Sequence, residues 1–197
     1  MSEESPRRPR APKGDGGRLR EDILRASTKL LEHATVEPSV RAIAQEVGVS
    51  PAAIYLHFPD KSTLLHEAAS RKVAGALDDL RRDADLATVV GSLLTIARDA
   101  PVAYRLAFLS SPNKGGRGPR PVYAAYNAVR TAVARNAPAV DVDLLSAAVV
   151  GATTGFTTLD LADPVGPWPS LDRLGDLLTR LVAGAFDHAI GGASPNA

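Results

Sequence analysis

An all-α fold is predicted for this chain of 197 residues, from three observations. Apolar residues recur at three- and four-residue spacing almost everywhere, and no stretch alternates as a half-buried strand would. Proline and glycine clusters punctuate that pattern at roughly helix-length intervals. Near the N-terminus, two short helical segments flank a glycine turn. The expected architecture is a three-helix head carrying a helix-turn-helix, joined to a larger C-terminal helical bundle. The length suits a small domain attached to a larger one.

Residues 1–17 are rich in Pro and Gly and poor in apolar side chains, which predicts a mobile arm. Within residues 1–20, Arg7, Arg8, Arg10, Lys13, Arg18 and Arg20 outnumber Glu3, Glu4 and Asp15, so the arm is basic. A first helix over residues 18–33 is striped by Leu19, Ile23, Ala26, Leu30 and Leu31. Residues 40–65 read VRAIAQEVGVSPAAIYLHFPDKSTLL. Gly48 supplies the permissive backbone of a sharp helix exit. Ser50 then caps a second short helix with Pro51 at its first position, where a missing N–H costs nothing. Val40, Ile43, Ala44, Val47, Val49 and Ile54 can close a small core between the two. This is the plan of a helix-turn-helix whose second helix enters the DNA major groove.

A long helix over residues 60–82 starts at Asp60 and is striped by Leu64, Leu65, Ala68, Val73, Ala76, Leu77 and Leu80. Helices over 86–100 and 102–109 follow, parted at Pro101. Residues 110–121, SSPNKGGRGPRP, read as a loop: no strand precedes the glycines and no Gly-Lys-Ser/Thr follows, so a phosphate cradle is not expected. Helices over 121–137, 141–161 and 171–190 complete the chain, with a flexible tail at 191–197. The expected division is an arm at 1–17, a head at 18–66 and a bundle at 67–190.

The formal net charge of +1 excludes neither nucleic acid nor other partners; distribution matters more than the sum. Cysteine is absent, which excludes disulfides, thiolate metal sites and cysteine nucleophiles, and fits a reducing cytoplasm. No secretory h-region is present, and no apolar run is expected to approach the roughly 20 residues a bilayer requires. An enzyme is the first rival class. Yet His33, His57, His66 and His188 form no metal-ligand spacing, and no nucleophile elbow, phosphate loop or dinucleotide fingerprint occurs. Neither a metal nor a cofactor is expected.

The residues of the turn also carry a resemblance. Ile43-Ala44, Gly48-Val49-Ser50, the run Ile54-Tyr55-Leu56-His57-Phe58, and Asp60-Lys61 leading into Leu64-Leu65 resemble the N-terminal DNA-binding domain of the TetR family of bacterial transcriptional regulators. The similarity extends upstream through the first helix and covers about the first third of the chain. The chain departs from the family pattern in the loop from His33 to Pro38 and at Ala53, where many relatives carry glycine. The resemblance implies a homodimeric regulator, commonly a repressor, whose residues 67–190 bind a small-molecule effector and dimerise. A ligand-independent dimeric DNA-binding protein is the competing reading.

On the DNA side, Ile54 and Phe58 form the inward stripe of the second short helix. That leaves Pro51, Ala52, Ala53, Tyr55, Leu56 and His57 facing DNA, with Ser50 at the helix start. Ser39 and Arg41 flank the preceding helix and can grip the backbone. By resemblance, Tyr55 and His57 contact phosphates or bases and Lys61 reaches a phosphate. No Arg, Asn or Gln lies between Pro51 and Phe58, so bidentate base recognition is not expected there. Modest base discrimination and a steep salt dependence are. On the ligand side, Tyr104, Phe108, Tyr123, Tyr126, Phe156 and Trp168 are the candidate pocket aromatics, with Arg105 as a charge and Thr153, Thr154, Thr157, Thr158 and Asp160 as polar fixings. By resemblance the last two helices form the dimer interface, through Leu145, Val149, Ala152, Leu174, Leu178 and Leu181.

Overall fold

The computed structural model describes residues 15–80, 84–110, 120–136 and 141–191. Among these residues every element is α-helical: α1 (Asp15–Leu30), α2 (Val40–Val47), α3 (Pro51–Tyr55), α4 (Lys61–Asp78), α5 (Leu86–Asp99), α6 (Pro101–Phe108), α7 (Pro121–Asn136), α8 (Val142–Ala162) and α9 (Leu171–Gly191). Residues 1–14 of the expected basic arm, 192–197 of the expected C-terminal tail and most of the glycine-rich loop lie outside the described residues, while residues 15–17 and Gly191 are helical rather than part of an arm or tail.

Side-chain caps set most of the starts. Ser39, Ser50, Asp60, Asp85 and Asp141 each accept a hydrogen bond from the backbone N–H three residues on, which satisfies donors the helix itself leaves unpaired. At Asp85 the bond to Thr88 holds the carboxyl below its usual range. Gly48 ends α2 at φ 77°, in the left-handed region, and its N–H returns to the Gln45 carbonyl. Prolines open α3, α6 and α7. Between α5 and α6 the chain bends by 114° at Ala100–Pro101.

Two apolar cores hold these helices. The first runs from Ile23 and Leu24 of α1, with Leu31 just past its end, through Ile43, Ile54 and Phe58 to Leu64, Leu65 and Val73 of α4, and on to Leu93, Ala103 and Leu106. The second joins Val89 and Leu94 of α5, Val129 and Val133 of α7, Val149 of α8, and Leu174 and Leu178 of α9. Helix α4 thus passes from the head into the body with its apolar residues enclosed at both ends. Its junction with α1 has an ionic part beside the apolar one. Glu67, 3% exposed, receives a two-pronged pair from Arg20, Nη1 to Oε1 at 3.0 Å and Nη2 to Oε2 at 2.7 Å. Arg20 also lies over the Phe58 ring, 4.6 Å from its centroid. Although it is counted with the basic charges of residues 1–20, it is turned toward Glu67 and Phe58.

Some bounds differ from expectation. Helix α1 begins at Asp15 and ends at Leu30, α3 stops at Tyr55, and α4 stops at Asp78. The expectation that no segment reaches membrane-spanning length and apolarity is corrected at α8. Its 21 residues have a mean hydropathy of 1.4 over their most apolar window. Thr153, Thr154, Thr157 and Thr158 masked this in the sequence. Thr153 and Thr158 return their hydroxyls to the helix, to the Val149 and Thr154 carbonyls, which lowers the cost of burying them.

Candidate DNA-binding surface

Helix α3 is short, and its sides are unequal. Ile54 and, just beyond the helix, Phe58 are almost wholly buried at 1% exposure, locking α3 onto α1 and α4. Consequently the opposite face is open. Ser50, Pro51 and Ala52 are exposed, Tyr55 is 52% and Leu56 84% exposed, and Ala53 and His57 are half-buried. Leaving Tyr55 and Leu56 in water runs against the usual burial of large apolar groups. A ridge of this kind is what a major-groove contact would cover.

The flanks add groups suited to phosphate. Ser39 caps α2 with its hydroxyl, and Arg41 beside it is exposed. Lys61 stands in the first turn of α4, where unpaired N–H groups and the helix dipole favour an anion. Its Nζ is 3.1 Å from Glu37 Oε2, with both side chains about two-fifths exposed. An exposed pair of this kind is worth little, so Lys61 can exchange Glu37 for a phosphate. Glu37 was absent from the expected site. Its acidic charge, 24 residues from Lys61, gives no local signal.

Behind the surface, the head is tied to the body at a second place. His66 Nδ1 lies 2.8 Å from the Leu106 carbonyl of α6. A carbonyl oxygen only accepts, so the proton sits on Nδ1 and the bond runs from α4 to α6.

On the body side the aromatic residues do not form one group. Tyr104 and Phe108 of α6 stack at a centroid distance of 4.5 Å. Tyr123 is 58% exposed, beneath the Arg120 guanidinium. Tyr126 donates to the Asp143 carboxylate at 3.1 Å, where Arg130 also binds. Trp168 donates to the Asp163 carbonyl in the turn before α9. Phe156 packs at the edge of the second core. Arg105 and Asp160 line a cleft at the α5–α6 corner together with Thr35 of the head.

Tyr104 is wholly buried, and its hydroxyl and that of Thr157 complete no hydrogen bond. Burial pushes the phenol above its ordinary value, while the nearby Thr154 and Thr157 hydroxyls pull it back. Tyr104→Phe should therefore leave stability unchanged or raise it by up to about 1 kcal/mol, because an unsatisfied polar atom is removed. Tyr104→Ala should cost about 3–5 kcal/mol through the cavity it leaves. Urea denaturation distinguishes the two. Since the folded value is raised, any linked stability is intact below about pH 10 and lost as pH climbs through it; Tyr104→Phe abolishes that alkaline loss.

The six expected dimer residues divide. Val149, Leu174 and Leu178 are buried at 2%, 2% and 7% exposure in the protomer's own core. A side chain already enclosed has no surface left for a partner, so these three are core residues. Leu145 and Ala152 are half-buried, and Leu181 is 60% exposed. A different stripe on α8 is open: Leu144, Ala148, Gly151, Gly155 and Leu159. It recurs at three- and four-residue steps and so forms one face. On α9, Leu177, Leu181 and Gly184 do the same.

A short helix-turn-helix with an open ridge, capped by serine and followed by a lysine at a helix start, defines the class: a DNA-binding protein of the helix-turn-helix kind. Residues 23–68 match the family model described as bacterial regulatory proteins, tetR family. The protein is a DNA-binding transcriptional regulator. Among 22 solved chains that match is native NalD, the secondary repressor of the MexAB-OprM multidrug efflux pump in Pseudomonas aeruginosa. That chain is 18% identical, with a TM-score of 0.47, over 85% of this chain and 96% of the other. No curated protein matches the sequence.

Proposed function

We propose that the protein is a cytoplasmic transcriptional repressor that binds a palindromic operator as a homodimer and is released by a small-molecule effector. The observation that carries the DNA part is the open ridge of α3, Pro51 to Leu56, held outward by the burial of Ile54 and Phe58. Ser39, Arg41, Ser50, Ala52, Ala53, Tyr55, His57 and Lys61 are its proposed contacts. Support for the dimer comes from α8: only 28% of its most apolar window is buried in the protomer. A second copy of the chain is the covering this reading assigns to that face. Two-fold pairing would place two α3 helices to read two half-sites. The effector part rests on α4, whose first turn adjoins DNA and whose last turns lie in the body. A ligand that binds better when the heads are set apart would shift the dimer away from the operator.

Footprinting on the DNA flanking the gene tests this. Two protected half-sites about 10 base pairs apart, centre to centre, are expected. Affinity should fall steeply with salt, with a log–log slope of about −0.9 for each phosphate neutralised. A single unpaired half-site, or a slope no larger than one or two phosphates would give, contradicts the reading.

A further inference from the structure

A groove of about 760 Å³ runs between α4, α5 and α7, within the range of small-molecule sites. Small side chains keep it open: Ala74 on α4, and Ala124 and Ala128 on α7. Leu77 and Val89 complete an apolar floor. Arg120 and Arg135 stand at opposite ends of the α7 wall, fifteen positions and roughly 22 Å apart at 1.5 Å per residue. The shape is elongated, and among the described residues of the lining the guanidiniums outnumber the one carboxylate, Asp78. Arg135 is already engaged with the Ala84 carbonyl. Arg120 is exposed and lies over the Tyr123 ring, and no ion pair to it is found among the described residues.

We propose that this groove binds an elongated, mainly apolar molecule bearing one acidic group, with the acid seated on Arg120. The apolar body lies on Ala74, Leu77, Ala124 and Ala128. A planar guanidinium at the rim favours a carboxylate over a neutral head group, because it can donate two parallel bonds. The α4 wall of the groove belongs to the helix that carries Lys61 at its other end, so an occupant presses on the element leading to the DNA surface. This names the place and chemical class of the effector and takes its regulatory meaning from the proposed repressor role.

Decanoate and decanol, titrated into the full chain by calorimetry below their self-association, are the probes. The wild-type protein should bind decanoate at least about tenfold more tightly than decanol, the worth of one charge-assisted contact. Arg120→Gln, an exposed change that leaves the core intact, should bring decanoate down to the decanol level. Ala128→Trp, which fills the groove, should abolish binding of both while circular dichroism shows a folded protein. Equal binding of the two probes, decanoate binding unaltered by Arg120→Gln, or no binding of either overturns the proposal. Operator binding of the unliganded protein is measured separately, so failure of the groove and failure of the repressor reading give different results.

Discussion

Arg20→Ala should destabilise the protein by about 3 kcal/mol, read as a shift of the urea midpoint. The Glu67 carboxylate is 3% exposed and takes both its strong bonds from Arg20. Without that guanidinium it keeps only Arg71, at 3.9 Å. Breaking a buried pair from one side costs about 3–5 kcal/mol, because a desolvated charge is left behind. Arg20 is 31% exposed and Arg71 remains, which places the effect at the low end. The contact of Arg20 with the Phe58 ring is lost as well. The paired replacement Arg20→Leu with Glu67→Leu should recover most of the loss, since no charge is then stranded. A shift below about 0.5 kcal/mol for Arg20→Ala, the range of ordinary surface changes, would show that the pair does not hold α1 to α4.

The second large effect is expected on α9. Leu177 and Leu181 lie one turn apart and are 47% and 60% exposed. Both stand outside the enclosed core formed by Leu174 and Leu178, so glutamate at both would leave that core in place. In a dimer closed through this face, it would place like charges across a two-fold axis. Light scattering should then show the mass of one chain in place of two, with helix content kept. Operator affinity should fall by at least about a hundredfold, because one head makes too few contacts for specific binding. Equal masses for wild-type and variant protein would contradict a dimer built on this face.

Much of the fold is legible in the sequence because local chemistry sets it. Ser50 with Pro51, Gly48, Asp60 and Asp141 act within three or four residues of where they stand, so the turn and several helix starts follow directly. The inward stripe of Ile54 and Phe58 is likewise local, and with it the outward face of Tyr55 and Leu56. What could not be read is set by topology. Arg20 and Glu67 are 47 residues apart, and nothing near either marks the other. On α9 both Leu174/Leu178 and Leu177/Leu181 satisfy helical spacing. The positions of α5 and α8 beside α9 decide that the first pair is enclosed and the second open. The aromatic residues of the body share a composition but not a place: Tyr104 and Phe108 lie in the core, Tyr123 and Trp168 near the surface. The groove on α7 is signalled by alanines, which read as ordinary helix formers.

The most direct measurement of the central claim is operator affinity for wild-type, Tyr55→Ala and Lys61→Ala proteins, each with folding confirmed. Both residues are at least partly exposed and neither supports the core, so loss of binding reports contact with DNA. Both variants should bind at least about tenfold more weakly, and Lys61→Ala should reduce the salt slope by about one phosphate. Wild-type affinity in both variants would contradict the assignment of the α3 ridge and the α4 N-terminus as the DNA-binding surface.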